Sequence, residues 1–504
     1  MKKYIVAITV FAFAVIMIVS CKKSFFDAPA QDGRIDDASA FKTKADFDAA
    51  LIGAYASLQG GNAAGERWVS VPGWVSQDMV DVTEAPKPLS GYMTPANSDF
   101  QNIWREYYKI VGSANIVLDK LATAPEGILT AADVTSMSAQ AKFLRGFAYL
   151  SLARAFGDVP MPLTSYTPEQ NSMGCTPKQD VFSQVVSDLL EAVANLPEAG
   201  DWGQADIGRA TKGGALAYLA YAYMYKEDWT NAAKAIEDLM ALTNPKYDLA
   251  QSVRTPFSVL NKNTPEYNKE NIFEVQYREK AGDNFQWGST PNTGHLLAGL
   301  FGPRNIGNEW SSWGGWGEFL INRKAVDSYE PGDDRRKELI KLNGETYKGE
   351  LMADTLKAPG WALNIQKTGG FAAKYWLGND GGILSPQNLP QMRYAEVLLN
   401  YAEVLFRQNK PVEAYAQLNK VRARAKLADK PVSNDEQTFL SDLMNERRHE
   451  LLLEPNLWFH YTRTGTAAKF YQENYNINMQ PQWIHFPIPE RERTTNPNLC
   501  NNGY

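Results

Sequence analysis

The sequence predicts a mostly α-helical protein: four tetratricopeptide-like helical pairs, forming a short solenoid, packed against an irregular loop-rich subdomain with a few short strands. Three observations lead there. Residues 389–427 read as two helices joined by a tight break, and the same pattern recurs in register at residues 216–239. Between such runs lie long stretches rich in Gly and Trp that keep neither a helical nor a strand period.

In LPQMRYAEVLLNYAEVLFRQNKPVEAYAQLNKVRARAKL, the side chains of Ala395, Leu398, Leu399, Ala402, Leu405 and Phe406 fall on one stripe of a helix. Asn409, Lys410 and Pro411 break the pattern. Pro411 suits a first helical turn, and Ala414, Leu418, Val421 and Ala425 form a second stripe. Helices joined so closely lie antiparallel, and the small Ala402 and Ala414 let the backbones approach. Leu216, Ala220, Tyr223, Ala232, Ile236 and Leu239 repeat that register. Less regular pairs are read at 143–156 with 182–196, and at 47–58 with 104–121. A lone hairpin cannot bury its apolar face, so several must stack.

A chain of 504 residues, 44% hydrophobic, can bury a large core. Because the helical runs are scattered from end to end, the expected body (41–504) is a helical scaffold at 41–58, 99–260 and 386–470. It carries an irregular, ligand-binding subdomain mainly at 60–98 and 266–376, and ends in a motif at 484–504. Residues 1–20 hold two lysines and a short apolar run, which reads as a secretory signal before it reads as a membrane span. Ile18, Val19, Ser20 and Cys21 resemble a bacterial lipobox, making Cys21 the lipidated N-terminus; a plain signal peptide with an incidental Cys is the alternative. Each buried CH₂ of acyl chain would add about 0.8 kcal/mol of anchoring. Residues 21–40 then form a tether. Cys175 and Cys500 remain, and two cysteines so far apart make no framework, so they are expected unpaired. The charge of −6 becomes −8 when Lys2 and Lys3 leave with the signal (−6 − 2). Basic residues form no stripe interleaved with aromatics, which argues against nucleic acid as a partner.

The irregular stretches carry the candidate site. Residues 60–100 bring Trp68, Trp74 and Tyr92 close in sequence to Asp78, Asp81 and Asn97. Residues 266–376 contain a strand-like NIFEVQY at 271–277 and then GNEWSSWGGWGEF at 307–319, with three tryptophans spaced by Ser and Gly. Flat aromatic faces beside short polar side chains suit the C–H face of a sugar ring, whose hydroxyls pair with Asn, Asp and Arg. The expected ligand-binding residues are therefore Trp68, Trp74, Asp78, Asn97, Trp287, Arg304, Trp310, Trp313 and Trp316. Against this stands plain packing: any one of 13 tryptophans is more often core than platform.

Catalytic signals are thin. Four histidines form no metal motif, and His449–Glu450 is followed by Leu453 where a zinc protease needs a second His. GRATKGG at 208–214 lacks phosphate-loop spacing, with Gly208 instead marking a helix entry, and no Gly-x-Ser-x-Gly elbow is present. The run DDRRKE at 333–338 reads as a solvated charged face. No cofactor or metal is expected.

Taken in order, several segments resemble the SusD/RagB nutrient-binding outer-membrane lipoproteins. These are Cys21, AKFLRGFAYLSLARAFGDVPMPL at 141–163, GRATKGGALAYLAYAYMYKEDW at 208–229, the hairpin at 389–427, NERRHELLLE at 445–454 and FPIPERERTTNPNLCNNGY at 486–504. The resemblance implies a non-catalytic protein, lipid-anchored at the outer membrane and facing the cell exterior, that captures a glycan. It also implies a partner, a SusC-like TonB-dependent transporter that receives the ligand. Peptide is the alternative ligand. A lipid-anchored glycosidase and a tetratricopeptide scaffold protein are the readings from other classes.

Overall fold

The computed structural model describes residues 40–82, 88–258, 262, 264–278, 294–303, 315–342, 344–347, 350–351, 369–376 and 384–504. The principal helices are α1 (Lys44–Ala56), α2 (Glu66–Val75), α3 (Ser98–Ala122), α4 (Ala131–Phe156), α5 (Lys178–Asn195) and α6 (Lys212–Tyr225). They continue with α7 (Trp229–Met240), α8 (Tyr394–Arg407), α9 (Pro411–Arg424), α10 (Glu436–Leu451), α11 (Leu457–Arg463) and α12 (Ala467–Tyr475). The fold is mostly helical with a few short strands. Both hairpins read from the sequence are present, as α6–α7 and α8–α9, and α9 begins on Pro411. From α3 to α7 each helix packs on the next; α1 lies on α3, and α7 meets α8.

Local chemistry sets the helix ends. Thr130 and Asp133 form a reciprocal capping box that opens α4. Thr211 caps α6 by accepting from the Gly214 amide at 3.0 Å. Between Phe143 and Phe156 every residue of α4 is buried, because α3, α5 and α6 surround it.

Three sheets complete the body among the described residues, one of them only the short pairing of 346–347 with 350–351. Strand β2 (Asn271–Val275) pairs antiparallel with β6 (Leu389–Arg393), and Phe273 of β2 packs edge-on against Phe143, Phe147 and Tyr218. The second sheet has β1 (Met79–Asp81), β3 (Phe319–Ile321), β4 (Ile340–Leu342) and β5 (Gly370–Ala372) in the order β1-β3-β5-β4.

Helix α10 carries the NERRHELLLE motif and joins these parts. Glu446 and Glu450 receive Arg335, at 2.6 and 3.3 Å. Arg447 pairs with Glu403 of α8 at 2.8 Å, Arg448 pairs with Asp78 beside β1 at 2.6 Å, and the His449 ring stacks on Tyr329. Glu450 also meets Arg393 of β6 and Arg424 of α9. Burial alone would raise the Glu450 carboxyl, but Arg424, Arg393 and Arg335 outweigh it and hold it well below the usual range.

Two expectations are corrected. Asp333 and Arg335 of the DDRRKE run are buried in this ion network, not solvated, because α10 supplies carboxylates for Arg335. Cys175 and Cys500 form a disulfide. The C-terminal tail folds back over the chain between α4 and α5, where Asn496 and Asn498 donate to the Met173 and Ser172 carbonyls. That return brings the two Cα atoms within 5.7 Å, which sequence separation could not reveal.

Candidate functional site

A corner built by α2, β1 and β3 gathers half-buried aromatics. Trp74, at the end of α2, meets the rings of Tyr92 and Phe319 edge-on at 5.8 and 5.2 Å. The Arg67 guanidinium sits 5.7 Å from the Trp74 ring centre and pairs with Asp99 at 3.2 Å. Tyr92 donates its hydroxyl to Asp99 Oδ2 at 3.1 Å, and burial, with Asp99 adding to it, pushes that phenol well above its ordinary range. Asn97 ties this arrangement to α3: its Oδ1 accepts from the Asp99 amide at 3.0 Å as N-cap, and its Nδ2 donates to the Tyr92 carbonyl.

Three residues before Phe319, Trp316 lies across the segment 297–301. Its amide donates to the Gly299 carbonyl at 2.6 Å, and a Cβ placed on Gly299 would touch the Trp316 ring at 3.4 Å. Gly315, Gly317 and Glu318 donate in turn to Pro303, Gly302 and Leu300, zipping 315–318 onto 300–303. A Cβ on Gly315 would fall 2.3 Å from the Gly302 carbonyl oxygen, so glycine is required by this close approach. Phe301 packs on Phe319, which links the Trp316 base to the Trp74 corner.

Of the expected site residues, Trp74 and Asn97 both contact Tyr92, and Trp316 lies on the 297–301 segment, whose Phe301 packs on Phe319. Trp68 is corrected: it is fully buried, stacked on Phe459 at 5.2 Å and tilted against Tyr107, with the Arg154 guanidinium 5.3 Å from its centre. No face of that ring is open, because α2 turns it into the core opposite to Trp74. Asp78 is also corrected. It is 1% exposed and taken up by Arg448 and the Tyr475 hydroxyl, so it anchors β1 and does not meet a ligand. Trp287, Arg304, Trp310 and Trp313 lie outside the described residues. Arg67, Tyr92 and Asp99 join the corner without having been expected as ligand-binding residues; the Asn97–Asp99 cap beside an aromatic is the signal the sequence offers for them.

The corner combines apolar ring faces with a guanidinium and a carboxylate, a set that recognises polyhydroxylated rings better than it performs chemistry. Among the described residues no group of three or more His, Cys, Asp or Glu could hold a metal ion. All four histidines are held mostly away from solvent; burial pushes His295 and His449 down to about 3 and His485 down to about 4.

The mostly helical body with a few short strands matches the SusD-like fold. The chain belongs to the SusD/RagB family. A family model described as "SusD family" matches residues 269–504, and one described as "Starch-binding associating with outer membrane" matches 36–224. SusD-like protein P2 of Formosa agariphila is 27% identical, over 92% of this chain and 93% of its own. A solved structure titled "Laminarin binding SusD-like protein" superposes with a TM-score of 0.76 at 25% identity, over 92% of this chain and all of its own. Surface glycan-binding protein A from Bacteroides thetaiotaomicron shares the fold, with a TM-score of 0.73 at 23% identity over 92% of this chain and 100% of that one.

Proposed function

We propose that this protein is a non-catalytic lipoprotein of the outer-membrane surface that captures oligosaccharide or polysaccharide and passes it to a SusC-like TonB-dependent transporter. The observation that carries the reading is the Trp74–Tyr92 corner with Arg67 and Asp99, joined through Phe319 to the Trp316 base. Trp74 and Trp316 supply apolar faces, and Arg67, Asp99 and Asn97 take hydroxyls. Arg304, Trp310 and Trp313 belong to the stretch that leaves this base at Pro303 and returns at Gly315, and with Trp287 they complete the proposed ligand set. The laminarin-binding name of a 25%-identical relative supports sugar over peptide.

Anchoring rests on lipid at Cys21, and residues 21–40 hold the body off the membrane. Among the described residues no helix is long and apolar enough to cross a membrane.

The test is binding of the full chain, purified in detergent, to a panel of polysaccharides and to peptide digests, with reducing ends assayed in parallel. Saturable glycan binding without new reducing ends supports the reading. Preferential binding of peptides overturns the ligand class, and release of reducing ends overturns the non-catalytic role. Protease applied to intact cells should degrade the protein; its survival would contradict an outward-facing anchor.

A further inference from the structure

A cleft of about 820 Å³ lies at the other edge of the four-stranded sheet, beside β4 and away from β1. Val326, Pro331 and Leu342 give it apolar patches, and the rest of its lining is dominated by charge. The carboxylates there are already paired. Asp327 is held by Arg323 at 2.8 Å and Glu345 by Arg336 at 2.7 Å. Glu330 is gripped at both oxygens by Arg422 of α9, and Asp333 by Arg335, two arginines that reach in from outside the lining. Tyr329 donates its hydroxyl to the His449 carbonyl and stacks on that ring, so its recognition groups are used.

Two lysines are left over. Lys337 is largely exposed and, among the described residues, pairs with Glu338 alone, at 3.6 Å, a long and solvated contact. Lys341 donates to the Lys337 carbonyl and forms no ion pair among the described residues. Its ammonium is half-buried; burial lowers its pKa, Glu338 and Glu345 favour the charged form, and Arg254 and Arg336 oppose it. An anion that reached both ammoniums would pair with Lys341, which has no ion pair among the described residues, and with Lys337, whose contact to Glu338 is long and solvated, while a ring could rest on Val326, Pro331 and Leu342.

We infer that this cleft is a second ligand site that takes the anionic substituent of an acidic saccharide, a uronate or a sulfate ester. The inference rests on the glycan reading above and gives it a substrate class. The two sites differ in kind: the Trp74 corner reads ring faces, and this cleft reads charge.

The test is calorimetric titration of the full chain in detergent with oligogalacturonate, a sulfated galactan oligomer and a neutral β-glucan oligomer, at low and raised salt. Wild type is compared with Lys337→Met/Lys341→Met, which preserves side-chain bulk, and with Lys337→Glu as an independent surface change. The expected result is affinity for one acidic probe, weakened by salt and reduced about tenfold or more in both lysine variants. Which acidic probe responds separates uronate from sulfate. Acidic probes bound equally by wild type and both variants would overturn this inference and leave glycan binding standing. Neutral glycan bound while no acidic probe binds would do the same. Failure of every glycan would remove both readings.

Discussion

Trp68→Ala separates packing from recognition on α2, because Trp68 and Trp74 are neighbouring candidates with opposite surroundings. The Trp68 indole is 0% exposed and touches Phe459, Tyr107 and Arg154. Burying roughly 150–250 Å² of aromatic surface at about 25 cal/mol/Å² gives about 4–6 kcal/mol. Truncations of this kind cost about 3–5 kcal/mol in practice. Loss of the Arg154 contact belongs within that figure, since the guanidinium loses its ring at the same moment. The assay is equilibrium denaturation, followed by glycan titration normalised to the folded fraction. Trp68→Ala should lose about 3–5 kcal/mol of stability while the folded fraction binds with unchanged affinity. A variant as stable as wild type that no longer binds glycan would refute the assignment and restore Trp68 as a platform.

Other perturbations act on the frame. Glu450→Gln leaves Arg393, Arg424 and Arg335 short of a buried carboxylate and should cost about 3–5 kcal/mol in the same denaturation assay; no change would mean the network is not coupled. Replacing Cys175 and Cys500 together by Ser should cost about 2–4 kcal/mol and expose the tail after residue 484 to protease, whereas unchanged cleavage would show that the asparagine contacts hold the tail by themselves. Acid should destabilise the fold below pH 6.5: the unfolded chain protonates its histidines there, while His295, His449 and His485 stay neutral in the fold down to about 3, 3 and 4. Glu403 adds to this below pH 4.5. Burial would raise it, but Arg463 and Arg447 prevail and bring it down to about 2, so its stabilisation is present above the unfolded value and lost toward that lower one. Glu396 works in the opposite sense, since burial raises it to about 7 and the fold is penalised as pH climbs from 4.5 toward that value. A denaturation midpoint that stays flat between pH 4 and 6.5 would contradict this balance.

The helical hairpins were legible because their apolar residues recur at helical spacing and Pro411 marks a start. Strand β2 was legible through NIFEV. The ion network was not, because Asp333 and Arg335 read as a solvated charged face, and nothing in the 445–454 motif shows that Glu446 and Glu450 meet Arg335, Arg393 and Arg424 until α10 is placed beside α9 and β6. Trp68 and Trp74 share one short helix and one composition. Only the direction in which α2 turns each ring tells core from edge, and that depends on Tyr107 and Phe459 arriving from distant segments. The glycines around Trp316 mark an irregular stretch in the sequence, yet the reason at Gly315 is the backbone of Gly302.

Glycan is proposed to bind at the Trp74 corner and the Trp316 base. Titrating a glycan that binds wild type into Trp74→Ala and Trp316→Ala tests it most directly. Folded variants should bind with affinity reduced about tenfold or more, since a buried Trp contact at a binding centre is worth about 2 kcal/mol. Folded variants that bind that glycan as tightly as wild type would contradict it and return both rings to packing.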